Sequence, residues 1–340
     1  MEGERSKSKS CGFHLPLALS TEILTRLQAK TLPKFRCVCK EWRSLIHSHN
    51  FASFHLNLCK NNRENSHLFV VESTGTWGTV SSSIRCSSTC QRTCQVGLPD
   101  CFRNGWVGGY VNGLLLGRQD DARKHIISHF VVWNPSIRKS IEITHPALLS
   151  NAFTWVGLGA LGRALALILN IYLKSSRYNH VAIFLNGAIH WIGYDVITFS
   201  SYNNYVIAFD VQNQVFNYFG LPNLGWDTRS SDDERLGVVR ESLVFLDYHG
   251  YEKSVVLRVM KEYGVVEPWV KRITINLDFE GLHLRRNSEI LFTMAKQRMK
   301  AYNFETAEIK DLRGSTLSDK VIFIDDYVQS LMLLTQVTKN

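Results

Sequence analysis

The chain holds 340 residues, 45 % hydrophobic and 20 % charged, with a formal net charge of +9. So much apolar material excludes global disorder, and the length suggests about two domains. Neither a secretory signal nor a membrane span is expected: residues 1–10 are polar, and the most hydrophobic stretch, Ala164–Leu173, is interrupted by Asn170. A reducing compartment, cytoplasm or nucleus, is therefore expected, and the eight cysteines read as thiols.

In chain order, residues 1–12 read as a disordered basic tail and residues 13–58 as a small all-α module. Residues 1–60 carry ten Lys/Arg against four Glu, which is +6 of the total +9. A local basic field of this kind speeds association with an acidic partner, whether nucleic acid or protein. Leu19, Ile23 and Leu27 recur four apart with Leu24 beside them, an amphipathic stripe, and Pro16 suits the first turn of that helix. A second stripe runs through Leu32, Phe35, Val38, Trp42, Leu45 and Ile46 in steps of three and four. Helices this short need a partner surface to bury such faces.

Residues 59–110 read as a connection and a first β segment, and 111–335 as an all-β domain. Short β-branched or aromatic runs such as His67–Val71, Phe130–Trp133, Tyr205–Phe209, Leu243–Leu246 and Val255–Val259 are bounded by turn residues. Two elements repeat. One is an aromatic followed by Asn or Asp and a turn, at Trp133-Asn134, Phe209-Asp210 and Tyr302-Asn303. The other is a small or polar pair entering a strand, at Asn112-Gly113, Asn186-Gly187, Glu241-Ser242 and Ser288-Glu289. From Gly113 through Gly187 and Ser242 to Glu289 the intervals are 74, 55 and 47. The last two fit the ~40–50-residue period of propeller blades. The fold class expected is α+β multidomain: a helical module, then a β-propeller-like domain.

These residues carry a resemblance. Leu15-Pro16, Glu22-Ile23-Leu24, Leu27, Phe35-Arg36-Cys37-Val38-Cys39-Lys40, Trp42, Leu45-Ile46, Phe51 and His55-Leu56 resemble the plant F-box in fixed register. Val111–Leu115, Trp133-Asn134-Pro135-Ser136, Phe184–Trp191, Val259–Gly264 and Tyr327–Leu331 are similar to the F-box-associated, kelch-like domain of that plant family. The resemblance implies a non-catalytic substrate receptor of an SCF-type ubiquitin ligase. Its F-box would dock on a Skp-family adaptor, and through it on cullin and a RING subunit; its β domain would hold an unknown target protein. The adaptor-binding set it implies is Leu15, Pro16, Leu19, Ile23, Leu24, Leu27, Leu32, Val38, Leu45 and Ile46, with Phe35 and Trp42 packing the module. Ala18 and Gln28 depart from the family's pattern without touching the stripe. A larger departure lies in residues 144–183, where a family strand pair is missing and Gly157–Ala164 stands instead. That gap and the interval of 74 imply one incomplete blade, so a receptor with a degenerate target domain is an alternative.

Other patterns weigh less. Cys86, Cys90, Cys94 and Cys101 are too evenly spaced for the paired knuckles of a structural zinc site, and they read as loop thiols. His125 and His129 read as packed or solvated, and Gly157-x-Gly159-x-x-Gly162 lacks the βαβ setting of a dinucleotide site. No catalytic motif is present, so no metal, cofactor or enzymatic activity is expected. Nucleic acid, suggested by charge, lacks a binding motif or an aromatic-interleaved basic face.

Overall fold

The computed structural model describes residues 15–61, 67–74, 79–103, 106–121, 126–143, 156–161, 164–169, 181–198, 201–222, 234–249, 253–265, 269–276, 281–285, 288–294, 298–312 and 320–333. The expected tail at 1–12, His125, Gly162 and much of 144–183 lie outside them. Four helices come first: α1 (Leu17–Thr25), α2 (Leu32–Phe35), α3 (Lys40–His47) and α4 (His49–Asn61). Pro16 stands one position before the expected first turn, and its carbonyl accepts the first helical bond from Ser20 N at 3.0 Å.

A ring of five four-stranded blades follows. The first blade begins with β1 (His67–Thr74), β2 (Thr79–Cys86) and β3 (Arg92–Val96). The second is β4 (Gly109–Val111), β5 (Leu114–Asp121), β6 (Ile126–Asn134) and β7 (Lys139–Ile143). A two-stranded hairpin, β8 (Val156–Leu161) and β9 (Ala164–Leu169), comes next. The third blade is β10 (Ile183–Leu185), β11 (Ala188–Thr198), β12 (Ser201–Asp210) and β13 (Val215–Gly220). The fourth is β14 (Arg235–Val239), β15 (Ser242–His249), β16 (Ser254–Met260) and β17 (Trp269–Asn276). The fifth is β18 (Gly281–Leu284), β19 (Glu289–Met294), β20 (Arg298–Asn303) and β21 (Glu308–Asp311). Last, β22 (Lys320–Tyr327) returns to pair antiparallel with β1, completing the first blade from the far end of the chain. The stretch read as a connection and a first β segment, 59–110, supplies three strands of the first blade, and the ring begins at His67.

Both sequence repeats are turns with a physical cause. Asn112-Gly113 and Asn186-Gly187 join the first two strands of their blades with positive φ at both residues (52° and 80°; 49° and 77°). That backbone suits a two-residue hairpin and admits Asn and Gly readily. The other repeat joins the third and fourth strands. Asn134 Oδ1 accepts from Ser136 N at 2.8 Å, Asp210 Oδ1 from Gln212 N at 2.9 Å, and Asn303 Oδ1 from Glu305 N at 2.9 Å. Side-chain acceptance of this kind folds the chain back on itself. Each of these turns ends on a left-handed residue: Arg138, Gln214 and Ala307 here, Cys90 in the first blade and Gly264 in the fourth. Cys86 and Cys90 are thus the two ends of one such turn, with Cys90 N donating to Cys86 O at 2.8 Å. Cys90 is buried between the first and fifth blades.

Blade faces bury one another around the ring. Phe69, Phe102 and Trp133 meet between the first and second blades, with Trp133 centred 5.9 Å from Phe69 and 5.6 Å from Phe102. Val206, Ala208 and Phe219 pack on Val238 and Leu243 between the third and fourth, and Val244 and Leu257 on Ile290 and Phe292 between the fourth and fifth. Among the described residues, the stretch implied as an incomplete blade holds the β8–β9 hairpin, and it does not open the ring. Ala182 N donates to Gly108 O at 3.1 Å in a parallel bridge, so the innermost strands of the second and third blades meet directly. The hairpin leans on this seam through Leu158, which is buried with Val111, Leu114, Leu116 and Phe130. Glycine at 109 permits that approach, since a Cβ there would lie 3.3 Å from Leu158 N.

Candidate docking face

The helical module has two apolar sides, a division that the 3–4 spacing alone does not reveal. Leu24, Leu32 and Ile46 are fully buried in the module's own core with Ala29 and Phe51. Although expected among the adaptor contacts, these three are enclosed by their own chain and are structural residues of the core. Leu27 and Leu45 are half-buried against that core. Phe35 and Trp42 close it, rings 5.8 Å apart, and the Trp42 indole N–H donates to Ser20 Oγ at 3.2 Å. The sulfur of Cys39 caps α3 by accepting from Trp42 N at 3.4 Å. His55 is buried and donates through Nε2 to the Leu27 carbonyl at 2.9 Å; burial lowers its pKa, so this is a neutral-ring bond.

The other side faces outward. Leu15, Leu19, Ile23 and Val38 are 44–61 % exposed, as is Leu17 at 63 %, which the stripe passed over. Pro16 is exposed beside them. With Phe54 and Leu58 on α4, at 52 and 42 %, the module exposes seven large apolar side chains, and exposure on this scale marks a candidate binding surface. At the end of α3, burial, then Arg36, Arg43 and Lys139, lower the pKa of His47.

The module is fastened to the ring by the last described residues. After β22, the segment Val328–Leu333 passes between the helices and the second blade. Gln329 Oε1 accepts from Ala29 N at 2.8 Å, and Leu331 is buried in the helical core. Asn134 donates its amide to Ser330 O at 3.0 Å and Met332 O at 2.8 Å, and Ser330 N donates to Ser136 Oγ at 3.1 Å. A Cβ at Gly113 would sit 2.4 Å from Val328 O, so only glycine lets the segment pass. The motifs around Asn112-Gly113, Trp133–Ser136 and Tyr327–Leu331 are thereby parts of one joint. Gln329→Ala is expected to weaken that joint without unfolding either side. Thermal unfolding should split from one transition into two, with the helical one lower, whereas an unchanged single transition would refute the coupling.

The comparisons with known proteins agree on the module. The F-box domain family matches residues 13–54. An F-box protein of Arabidopsis thaliana is 58 % identical over 38 residues, covering 11 % of this chain and 10 % of that protein. An F-box/kelch-repeat protein of the same plant is 44 % identical over 52 residues, covering 15 % and 14 %. These matches thus span only about a tenth to a seventh of those relatives' length. Another Arabidopsis F-box protein is 23 % identical over 305 residues, 75 % of this chain and 73 % of its own. Residues 13–54 are an F-box domain, carried at the head of a five-bladed β-propeller.

Proposed function

We propose that this chain is a substrate receptor of an SCF-type ubiquitin ligase, docking on a Skp-family adaptor through the exposed apolar side of its helical module. The observation that carries this reading is the division of the F-box into two sides. One side is consumed by the module's own core, and Leu15, Leu17, Leu19, Ile23 and Val38 are left for a partner. Burying such side chains stabilises a complex by ~25 cal/mol per Å² of apolar area removed from water. The net +6 of residues 1–60 suits an acidic partner and speeds the encounter. Cullin and the RING subunit would follow through the adaptor, and the propeller would hold the target.

The chemistry required of this chain is proximity. Tethering raises the effective concentration of the target's lysines near the charged ubiquitin carrier, so no residue here needs to touch the reacting bond. A joint that fixes the propeller against the F-box serves that purpose, since a loose one would spread the target over a larger volume. A cytoplasmic or nuclear site follows from the same reading.

Ile23→Asp and Val38→Glu, each placing a charge on the exposed side, should reduce affinity for a purified Skp-family adaptor at least 100-fold while leaving thermal unfolding unchanged. Undiminished adaptor binding in both folded variants would remove the proposal. Nuclease treatment should not alter adaptor pull-down, and the nucleic-acid reading would gain if it did.

A further inference from the structure

The outer strands of the five blades are edges, with one row of backbone N–H and C=O groups turned away from the sheet. Four of them carry charge, which discourages strand addition: Arg92 in β3, Lys139 and Glu142 in β7, Lys271 and Arg272 in β17, and Glu308, Lys310 and Asp311 in β21. The strand β13 reads Val-Phe-Asn-Tyr-Phe-Gly and carries none, although Val215, Phe216 and Tyr218 are 52, 36 and 58 % exposed.

The backbone of this edge turns outward in a definite register, and its Gly220 end is already taken by the fourth blade. The Trp269 indole N–H donates to Gly220 O at 2.8 Å, so that carbonyl is turned away from β12. In an antiparallel sheet, peptide groups two residues apart face the same way, so those of Phe216 and Tyr218 also face outward. Their side chains share one face, where Phe216 lies 4.7 Å from Phe209 and Tyr218 lies 5.8 Å from Tyr205, ring to ring. The strand β8 packs on the inner strands β10 and β11 of this blade. At the outer strand, Phe216 and Tyr218 stay exposed.

We propose that β13 is a strand-addition site: an extended, uncharged segment of the target protein adds to it as a fifth strand and lays apolar side chains on the ladder. Main-chain hydrogen bonding selects an extended peptide over a helix, and an edge without charge favours apolar and β-branched residues over acidic or basic ones. This deepens the receptor reading and rests on it for the identity of the occupant as a target.

The test pans the full-length chain against a phage-displayed random dodecapeptide library. Enriched peptides should contain an uncharged, proline-free run of five or more β-branched or aromatic residues. A fluorescein-labelled copy of one should bind the parent chain and lose at least 20-fold in affinity on Tyr218→Lys and on Phe216→Lys. Ile309→Lys, on the outer strand of the fifth blade, should leave binding unchanged. The propeller's thermal unfolding, measured on the same preparations, shows that the variants are folded. Lost peptide binding with that unfolding unchanged confirms the site. Enrichment of no such peptides, or binding indifferent to both β13 variants, overturns it. So does a concentration-dependent dimer that Tyr218→Lys dissolves, which would assign the edge to a second copy of this chain. If peptides bind at β13 while the adaptor does not bind even the parent chain, the strand-addition site stands and the ligase assignment falls.

Discussion

Leu24→Asp is expected to unfold the helical module, whereas Ile23→Asp, one residue earlier, leaves it folded and removes only its partner. Leu24 has no exposed surface and packs among Leu32, Ile46, Phe51 and Leu331. Truncating a buried leucine costs about 2–5 kcal/mol, and a carboxylate there adds the cost of an unpaired buried charge. A module of under ~50 residues has little stability to spare, so the whole of it should melt. Its four helices should become protease-sensitive while a fragment beginning near His67 survives. Ile23 lies on the outer face of the same helix, 44 % exposed, and an aspartate there stays solvated. Both variants lose the adaptor, but only the first loses helical content by circular dichroism. A helical module intact in Leu24→Asp would contradict the core described here.

That contrast marks what the sequence could say. Amphipathic spacing identified α1 and α3, but a stripe of one-in-three and one-in-four positions has the same form whether it meets its own core or another protein. Telling Leu24 from Ile23 requires the positions of Leu331 and Phe51, and Leu331 comes from the opposite end of the chain. The blades were legible wherever a turn forces its residues, at Asn112-Gly113, Asn186-Gly187, Asn134, Asp210 and Asn303. The first blade was legible only in the strand run His67–Val71, because its turn is built from Cys86 and Cys90 and its innermost strand lies some 250 residues downstream of its neighbour. The long interval between Gly113 and Gly187 pointed to a defect. The finding that the ring closes across it rests on the backbone of Gly108, Gly109 and Ala182, which leaves no side-chain pattern to read. The ladder on β13 was equally hidden, since its aromatic residues resemble core residues until Phe216 and Tyr218 are seen to stay exposed.

Arg85→Leu should be the most damaging single change in the propeller. Arg85 on β2 reaches along the sheet to Glu72 on β1, four residues away in register, with a 2.7 Å contact, each side chain only 1 % exposed. Arg85 also donates to Ser83 Oγ at 3.1 Å and to the Cys90 carbonyl at 3.2 Å, tying the pair to the turn that ends the blade. Removing one partner of a buried pair costs about 3–5 kcal/mol because the other is left charged in a dry site. For a domain of this size that is a fall of roughly 10 °C in Tm. Arg92, 3.7 Å from the second Glu72 oxygen but half exposed, can recover only part of it. Replacing both partners, as Arg85→Met with Glu72→Leu, should restore most of the loss, since no buried charge remains. The pH dependence has a definite sign. Burial raises the Glu72 pKa above its ordinary value, with Arg85 and Arg92 pulling it back. A raised carboxylate pKa means that the folded state holds the proton more tightly, so stability falls as pH climbs from the unfolded pKa through the folded one. Without Arg85 the folded pKa climbs further. The deficit of Arg85→Leu relative to the parent should therefore be largest at neutral pH and shrink on acidification, as urea unfolding at pH 7.5 and pH 5.5 would show. A deficit that grows as the pH falls would mean that Glu72 is not the group left stranded.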